Sequence, residues 1–185
     1  MNKRTMLAAA VALTFGFSAL YASAQTDPMV GGAAMYPTKN IVENAVNSKD
    51  HTTLVAAVKA AGLVDTLESP GPFTVFAPTN EAFDKLPAGT VDTLLKPENL
   101  AQLKKILTYH VVAGRLTAKD IAKQINAGGG KATLTTVEGG TLTAMMQDDK
   151  LVLTDEKGGT ATVTIANVNQ SNGEIQVIDN VLMPN

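Results

Sequence analysis

The apolar positions of this chain change period along its length, from helical spacing in the first half to alternation in the second. Met6 to Leu20 is an apolar run behind the basic pair Lys3 and Arg4. Residues 25 to 37 then carry Gly31-Gly32, two prolines and little apolar periodicity, which predicts a flexible tether. From Thr38 the pattern turns regular. Ile41, Val42, Ala45 and Val46 keep helical spacing, as do Leu54, Val55, Val58 and Ala61, with Gly62 placed to end a second helix. Pro70-Gly71-Pro72 breaks the chain, Phe73 to Phe76 reads as a short strand, and Pro78-Thr79-Asn80 stops it. Thr79 or Asn80 supplies the cap of a following helix with Glu81, Ala82 and Phe83, because either side-chain oxygen can accept an orphan backbone N–H. Leu100, Leu103, Ile106 and Leu107 form one stripe on the longest helix, which starts near Pro97 and runs toward Tyr109-His110-Val111-Val112. Gly114 closes that unit. A short helix is predicted from Thr117 to Gln124, and Gly128-Gly129-Gly130 after it predicts a mobile loop.

From Lys131 onward, short Thr/Val/Ile-rich runs are separated by Gly139-Gly140, Asp148-Asp149, Gly158-Gly159 and Asn172-Gly173. These intervals leave no room for helical crossovers, so antiparallel hairpins are expected. Alternation puts Leu151 and Leu153 on one inner face, Val163 and Ile165 on that of another strand, and Ile175 and Val177 on that of a third. Ile178 and Leu182 have the opposite parity, which predicts a bulge or burial on both faces. Helices early and a hairpin sheet late define an α+β order.

Composition changes this picture in three ways. The chain has 185 residues, 45% of them hydrophobic, which suits one globular domain, and aromatics are only 4%, so no stacking platform for bases or sugars is expected. The basic start, the apolar run and Ala22-Ser23-Ala24 together predict a cleaved signal peptide over residues 1–24, with a mature chain starting at Gln25 that is periplasmic or extracellular. Its loss takes two of the 15 basic residues and none of the 17 acidic ones, so the mature charge is 13 − 17 = −4 and nucleic acid is a poor partner. The last residues, Val181-Leu182-Met183-Pro184-Asn185, form no anchor signal, and no stable membrane insertion is expected after cleavage. The absence of Cys rules out disulfides, a lipidated cysteine and a thiol nucleophile.

Three blocks in order resemble the fasciclin domain. Phe73-Thr-Val-Phe-Ala-Pro-Thr-Asn-Glu-Ala-Phe83 is similar to the first signature of that family, Tyr109-His110-Val111-Val112 to its Tyr-His element, and Gly173 to Pro184 to its closing strand. The resemblance covers residues 38–184. It implies a fasciclin-like fold, a wedge of antiparallel β-sheet packed with several short helices, and a secreted or surface-associated module for cell adhesion or matrix contact. Such a module binds an extracellular or cell-surface protein or glycan without catalysis or cofactor. A single copy lacks the avidity of tandem modules.

The same resemblance implies binding roles for Tyr109 and His110, and for Asp120 and Ile121 beside Lys119. The residues themselves also support a plainer account. Tyr109 and His110, flanked by Leu107, Val111 and Val112, are placed to be partly buried and to satisfy backbone groups. Lys119-Asp120-Ile121 is the pattern of any short amphipathic helix. Thr79, Asn80, Asp179 and Asn180 are expected to be structural, as caps or turn residues bonding nearby backbone. Asn169-Gln170-Ser171 fits a glycosylation acceptor pattern.

Enzymatic chemistry has little to stand on. The two histidines, His51 and His110, are far apart in sequence, and no nucleophile elbow, metal-binding helix, phosphate loop or dinucleotide fingerprint is present. Asp148-Asp149 and Asp155-Glu156 read as exposed turn charges rather than calcium ligands. A hydrolase using a carboxylate pair brought together by the fold is the third reading, after a small-molecule carrier. The carrier requires a closed apolar cavity of about 300 Å³ or more with convergent polar groups. Adjacent Met145 and Met146 point to opposite faces of a strand, so only one of them can line such a space.

Overall fold

The computed structural model describes residues 27–185, so the expected signal segment lies outside them. In chain order the elements are β1 (Met29–Val30), β2 (Ala33–Ala34), α1 (Ile41–Ala45), a 3₁₀ turn at Lys49–His51, α2 (Thr52–Ala60), α3 (Val64–Glu68), β3 (Phe73–Pro78), α4 (Asn80–Asp84), α5 (Thr90–Leu94), a second 3₁₀ turn at Pro97–Asn99, α6 (Leu100–Tyr109), β4 (Val111–Ala113), α7 (Ala118–Ala127), β5 (Ala132–Thr135), β6 (Thr141–Gln147), β7 (Lys150–Thr154), β8 (Thr160–Gln170) and β9 (Gly173–Ile178). The order is α+β, with a sheet that curls into a barrel-like wedge.

That sheet runs β4-β3-β9-β8-β7-β6-β5. Its hairpins from β5 to β9 are antiparallel, and the four turn signals fall between them; Asp148 and Asp149 both take positive φ, the backbone of a two-residue hairpin turn. The seam between β3 and β9 is parallel, Phe73 opposite Gly173 through Pro78 opposite Ile178, which hairpin spacing alone does not anticipate. The outer strands then approach each other. A bridge joins Val112 to Thr136, and the Val137 N–H donates to the Val111 carbonyl at 2.7 Å, so the curl closes on itself.

Closure divides the apolar interior in two. Val75 and Ala77 of β3, with Ile175 and Val177 of β9, face the helices α1 to α6, whereas Phe76 and Ile178, of opposite parity, face the inside of the curl with Leu142, Leu153, Ile121 and Tyr109. All six residues of β9 are buried, so its mixed parity reflects burial on both faces. The register shift lies in β8 instead. One irregularity falls between Val163 and Ile165 and another between Ile165 and Val168, so Val163 packs inside the curl and Ile165 against the helical core. The expectation that these two share an inner face is therefore corrected: an extra residue reverses strand parity.

Glycine sets the parallel seam. A Cβ on Gly173 would collide with the Phe73 carbonyl oxygen and press on Ile41. Gly173→Ala is expected to cost about 1–3 kcal/mol by forcing β9 off β3, as read from a urea melt. A Gly173→Ala protein as stable as the parent would mean that the seam tolerates separation.

Two segments depart from their expected character. Met29–Ala34 is a small antiparallel hairpin whose Val30, with Met35 beyond it, is buried in the helical core; it straps that core instead of forming a tether. The Gly128–Gly130 tract ends α7, with the Gly128 and Gly130 N–H groups donating to Gln124 and Ile125 at 2.8 Å each, which makes it a helix terminus and not an open loop.

Candidate functional site

The stripe of α6 buries Leu103, Ile106 and Leu107, and the helix delivers Tyr109 and His110 into the interior at its end. Tyr109 is fully buried, its hydroxyl donating to the Thr141 carbonyl at 2.6 Å and accepting from the Glu156 N–H at 3.2 Å. Burial pushes its pKa up to about 12. His110 is 2% exposed. Its Nδ1 donates to the Ile106 carbonyl at 2.8 Å and its Nε2 accepts from the Leu182 N–H at 3.0 Å, which assigns one neutral tautomer. Burial drives its pKa down to about 4.

The C-terminal segment is what these residues hold. Beside the bond from Leu182 to His110, the Met183 N–H donates to Asp155 Oδ2 at 2.9 Å and Lys105 Nζ donates to the Asn185 carbonyl at 2.5 Å. Asp155 Oδ1 also accepts from the Lys157 and Gly159 N–H groups at 3.0 and 2.6 Å. Asp155 is thus buried and committed to three backbone donors, which corrects its expected exposure; only its neighbour Glu156 is exposed. A turn charge looks alike in sequence whether or not a later segment folds over it.

Asp120 and Ile121 open α7. Ile121 is fully buried. Asp120 forms a capping box with Thr117, whose hydroxyl hydrogen bond at 2.7 Å is the main reason its carboxyl pKa is lowered. Its side chain is 43% exposed and lies 3.5 Å from Lys123. Thr79 caps α4, whereas Asn80 reaches away from that helix, donating to the Lys49 carbonyl at 2.8 Å and accepting from the Thr53 N–H at 3.0 Å. Asp179 accepts from the Thr162 N–H at 2.7 Å and Asn180 donates to the Thr160 carbonyl at 2.8 Å, so both fasten β8, 17 and 20 residues back. Asn172 makes a similar long reach, to Ile41, Leu67 and Ser69, although its sequence signal was only that of a turn.

A second buried polar group lies on β9. Glu174 is fully buried, Oε1 accepting from Gln176 at 3.0 Å, while Oε2 has no partner among the described residues. Burial raises its pKa, and the fields of Arg115 and Asp120 both reach it. Arg115 also lines an open polar groove of about 540 Å³ with Glu43, Glu68 and Asn172. Arg115 itself lies in the connection between β4 and α7.

His51 and His110, distant in sequence, both line one apolar cavity of about 60 Å³ in the helical core. That volume is well short of a compartment for a bulky ligand. Neither Met145, half-buried, nor Met146, exposed, lines it. Among the described residues no group of three or more His, Asp or Glu side chains is arranged to hold a metal ion, and no helix is long and apolar enough to cross a membrane.

Comparison with known proteins gives these features a family. The chain is 49% identical over 156 residues to protein sll1483 of Synechocystis, covering 84% of this chain and 79% of that protein. It is 35% identical to the cell surface glycolipoprotein MPB83 of Mycobacterium bovis, covering 85% of this chain and 61% of that one. Among solved structures, a FAS1 domain pair from the insect cell adhesion molecule Fasciclin I shares the fold, with a TM-score of 0.69 at 20% identity over 78% of this chain and 51% of that chain. A sequence model of the Fasciclin domain matches residues 49–184, spanning all three signature blocks, and the chain belongs to the fasciclin domain family.

Proposed function

We propose that this chain is an exported interaction module that binds an extracellular or cell-surface protein or glycan without catalysis. The observation carrying this reading is the commitment of Tyr109, His110 and Asp155, each of which spends its polar atoms on backbone groups and so holds the fold together instead of facing a substrate. The relation to cell-surface and adhesion proteins points the same way. Of the four residues that the family resemblance marks for binding, Asp120 offers an accessible side chain, and the open groove lined by Arg115 and Glu68 offers a second accessible polar surface.

The test coats a surface with the folded protein and measures retention of cells of the same species or of a host, with free protein as competitor. Saturable, competed retention is expected. Asp120→Asn and Glu68→Lys are expected to reduce retention; Glu68→Lys, at an exposed position, is expected to keep the melting temperature, and Asp120→Asn to lower it slightly by weakening the capping box with Thr117. Retention equal to that on a heat-unfolded coat would sink the reading, and retention unaltered by both substitutions would move the partner to another face.

A further inference from the structure

One side chain fastens α1 and α3 to the sheet, and its neighbour in sequence makes it chemically frail. Asn172 lies in the two-residue turn between β8 and β9. Its Oδ1 accepts from the Ile41 N–H of α1 at 3.1 Å, and its Nδ2 donates to the Leu67 carbonyl of α3 at 2.7 Å and to the Ser69 carbonyl at 3.0 Å. Its own carbonyl accepts from the Phe73 N–H at 3.1 Å, where β3 begins. Both amide protons and the amide oxygen are therefore engaged, and the residue is 9% exposed.

The residue that follows is Gly173, and no other asparagine in the chain precedes a glycine. With no Cβ to hold it off, the backbone nitrogen of a glycine reaches the side-chain carbonyl carbon of a preceding asparagine more readily than that of any other residue. Attack forms a bond from the Gly173 nitrogen to Cγ of Asn172 and breaks the bond from Cγ to Nδ2. The Gly173 amide proton passes to Nδ2, which leaves as ammonia. Water then opens the cyclic imide at one carbonyl or the other, giving aspartate or isoaspartate.

The folded structure opposes the first step. Ring closure draws Cγ toward the Gly173 nitrogen and makes it tetrahedral, which pulls Oδ1 and Nδ2 away from Ile41, Leu67 and Ser69. Gly173 is itself buried and held on both sides, opposite Phe73 of β3 and Gln170 of β8. The Ser171 N–H, donating to the Lys39 carbonyl at 2.9 Å, and Arg115, donating to the Gln170 carbonyl at 2.7 Å, brace the turn further.

We propose that Asn172 is a self-modification site that the native fold keeps silent: while the β8–β9 turn is open, Asn172 and Gly173 react to give aspartate or isoaspartate, and the turn cannot be fastened again. Aspartate at this position has no N–H for the Leu67 and Ser69 carbonyls and sets a negative charge against both. Isoaspartate adds a methylene to the backbone at the head of β9, which disturbs its register with β3. The inference is independent of partner binding.

The full chain is incubated at mildly alkaline pH, folded in buffer and unfolded in urea, then digested for mass spectrometry that reads amide loss at each asparagine. Conversion at Asn172 is expected to lead all others in urea. In the folded protein it is expected to be slower by about a hundredfold or more, at about fivefold for each of the three side-chain hydrogen bonds. Gly173→Ala is expected to slow it severalfold in urea, where the fold plays no part. Chains converted in urea and returned to buffer, and the variant Asn172→Asp, are both expected to melt at least about 5 °C below the parent. A variant that fails to fold agrees with the lost fastening, and the two rates on the parent chain still decide whether the fold guards the site. Equal rates folded and unfolded, a faster site elsewhere in urea, or Asn172→Asp melting with the parent would each overturn the proposal.

Discussion

Replacing Tyr109 with alanine is expected to lower the midpoint of thermal unfolding by about 10 °C or more, since truncating a buried aromatic costs about 3–5 kcal/mol in a domain of this size. The ring packs inside the curl, where the Gly140 backbone leaves no room for a Cβ against it, and its hydroxyl joins β6 to the turn after β7. Tyr109→Phe separates the two contributions. It keeps the packing and strips a partner from the Thr141 carbonyl and the Glu156 N–H, for a loss of about 1–3 kcal/mol. Calorimetry on both variants decides the matter: an alanine variant melting within a degree or two of the parent would show that the ring fills space the fold can reclaim.

Acid is expected to destabilise the protein well before its carboxylates are all protonated. His110 is neutral in the folded state down to about pH 4, but in the unfolded chain it takes up its proton near pH 6.5. Between those values the unfolded state binds more protons, so stability falls as pH falls, by on the order of 3 kcal/mol in all, and levels off below pH 4 for this group. His51, its pKa also lowered by burial, acts in the same direction. Glu174 acts in the opposite one: its pKa is raised by burial, so its protonation relieves a folded-state cost as pH falls. Urea unfolding across the interval measures the sum, and His110→Phe is expected to be less stable at neutral pH yet to lose most of the slope. An unchanged slope in that variant would assign the acid sensitivity elsewhere.

Why His110 matters so much was only half visible in the sequence. Its position after an apolar helical stripe and before Val111-Val112 predicts burial, and the structure buries it. The identity of its partner, Leu182, 72 residues later, has no local signature. Elements whose character is set by neighbours were readable: the α6 stripe, the strand at Phe73, the four hairpin turns, the cap at Thr79. The short helices α3 and α5 span five residues each, about one turn, too little for a periodic signal. The hairpin at Met29–Ala34 was hidden because Gly and Pro signal a turn and a linker alike. Asp155 and Asn172 carry the sequence signal of turn residues, but their burial and long-range bonds depend on which segment folds over them.

Among the sites, the family resemblance and the packing argument drew on different information. Motif similarity marks Tyr109, His110, Asp120 and Ile121 together, whereas burial separates Asp120 from the other three. The small cavity in the helical core is illegible in the sequence for a further reason. A cavity is a property of side chains that do not quite meet, and the sequence around it reads as ordinary core.

The parallel seam also carries a consequence in time. Phe73 pairs with Gly173, and no strand between them can substitute, because the neighbour of β3 on that side is β9. A core whose first long strand waits for β9 cannot close until the hundred or so residues that separate the two strands have been made, and contacts so distant in sequence slow the search even then. Until β9 is in place β3 is paired on one side only, by β4, so the wall of the helical core gains its rigidity late in folding.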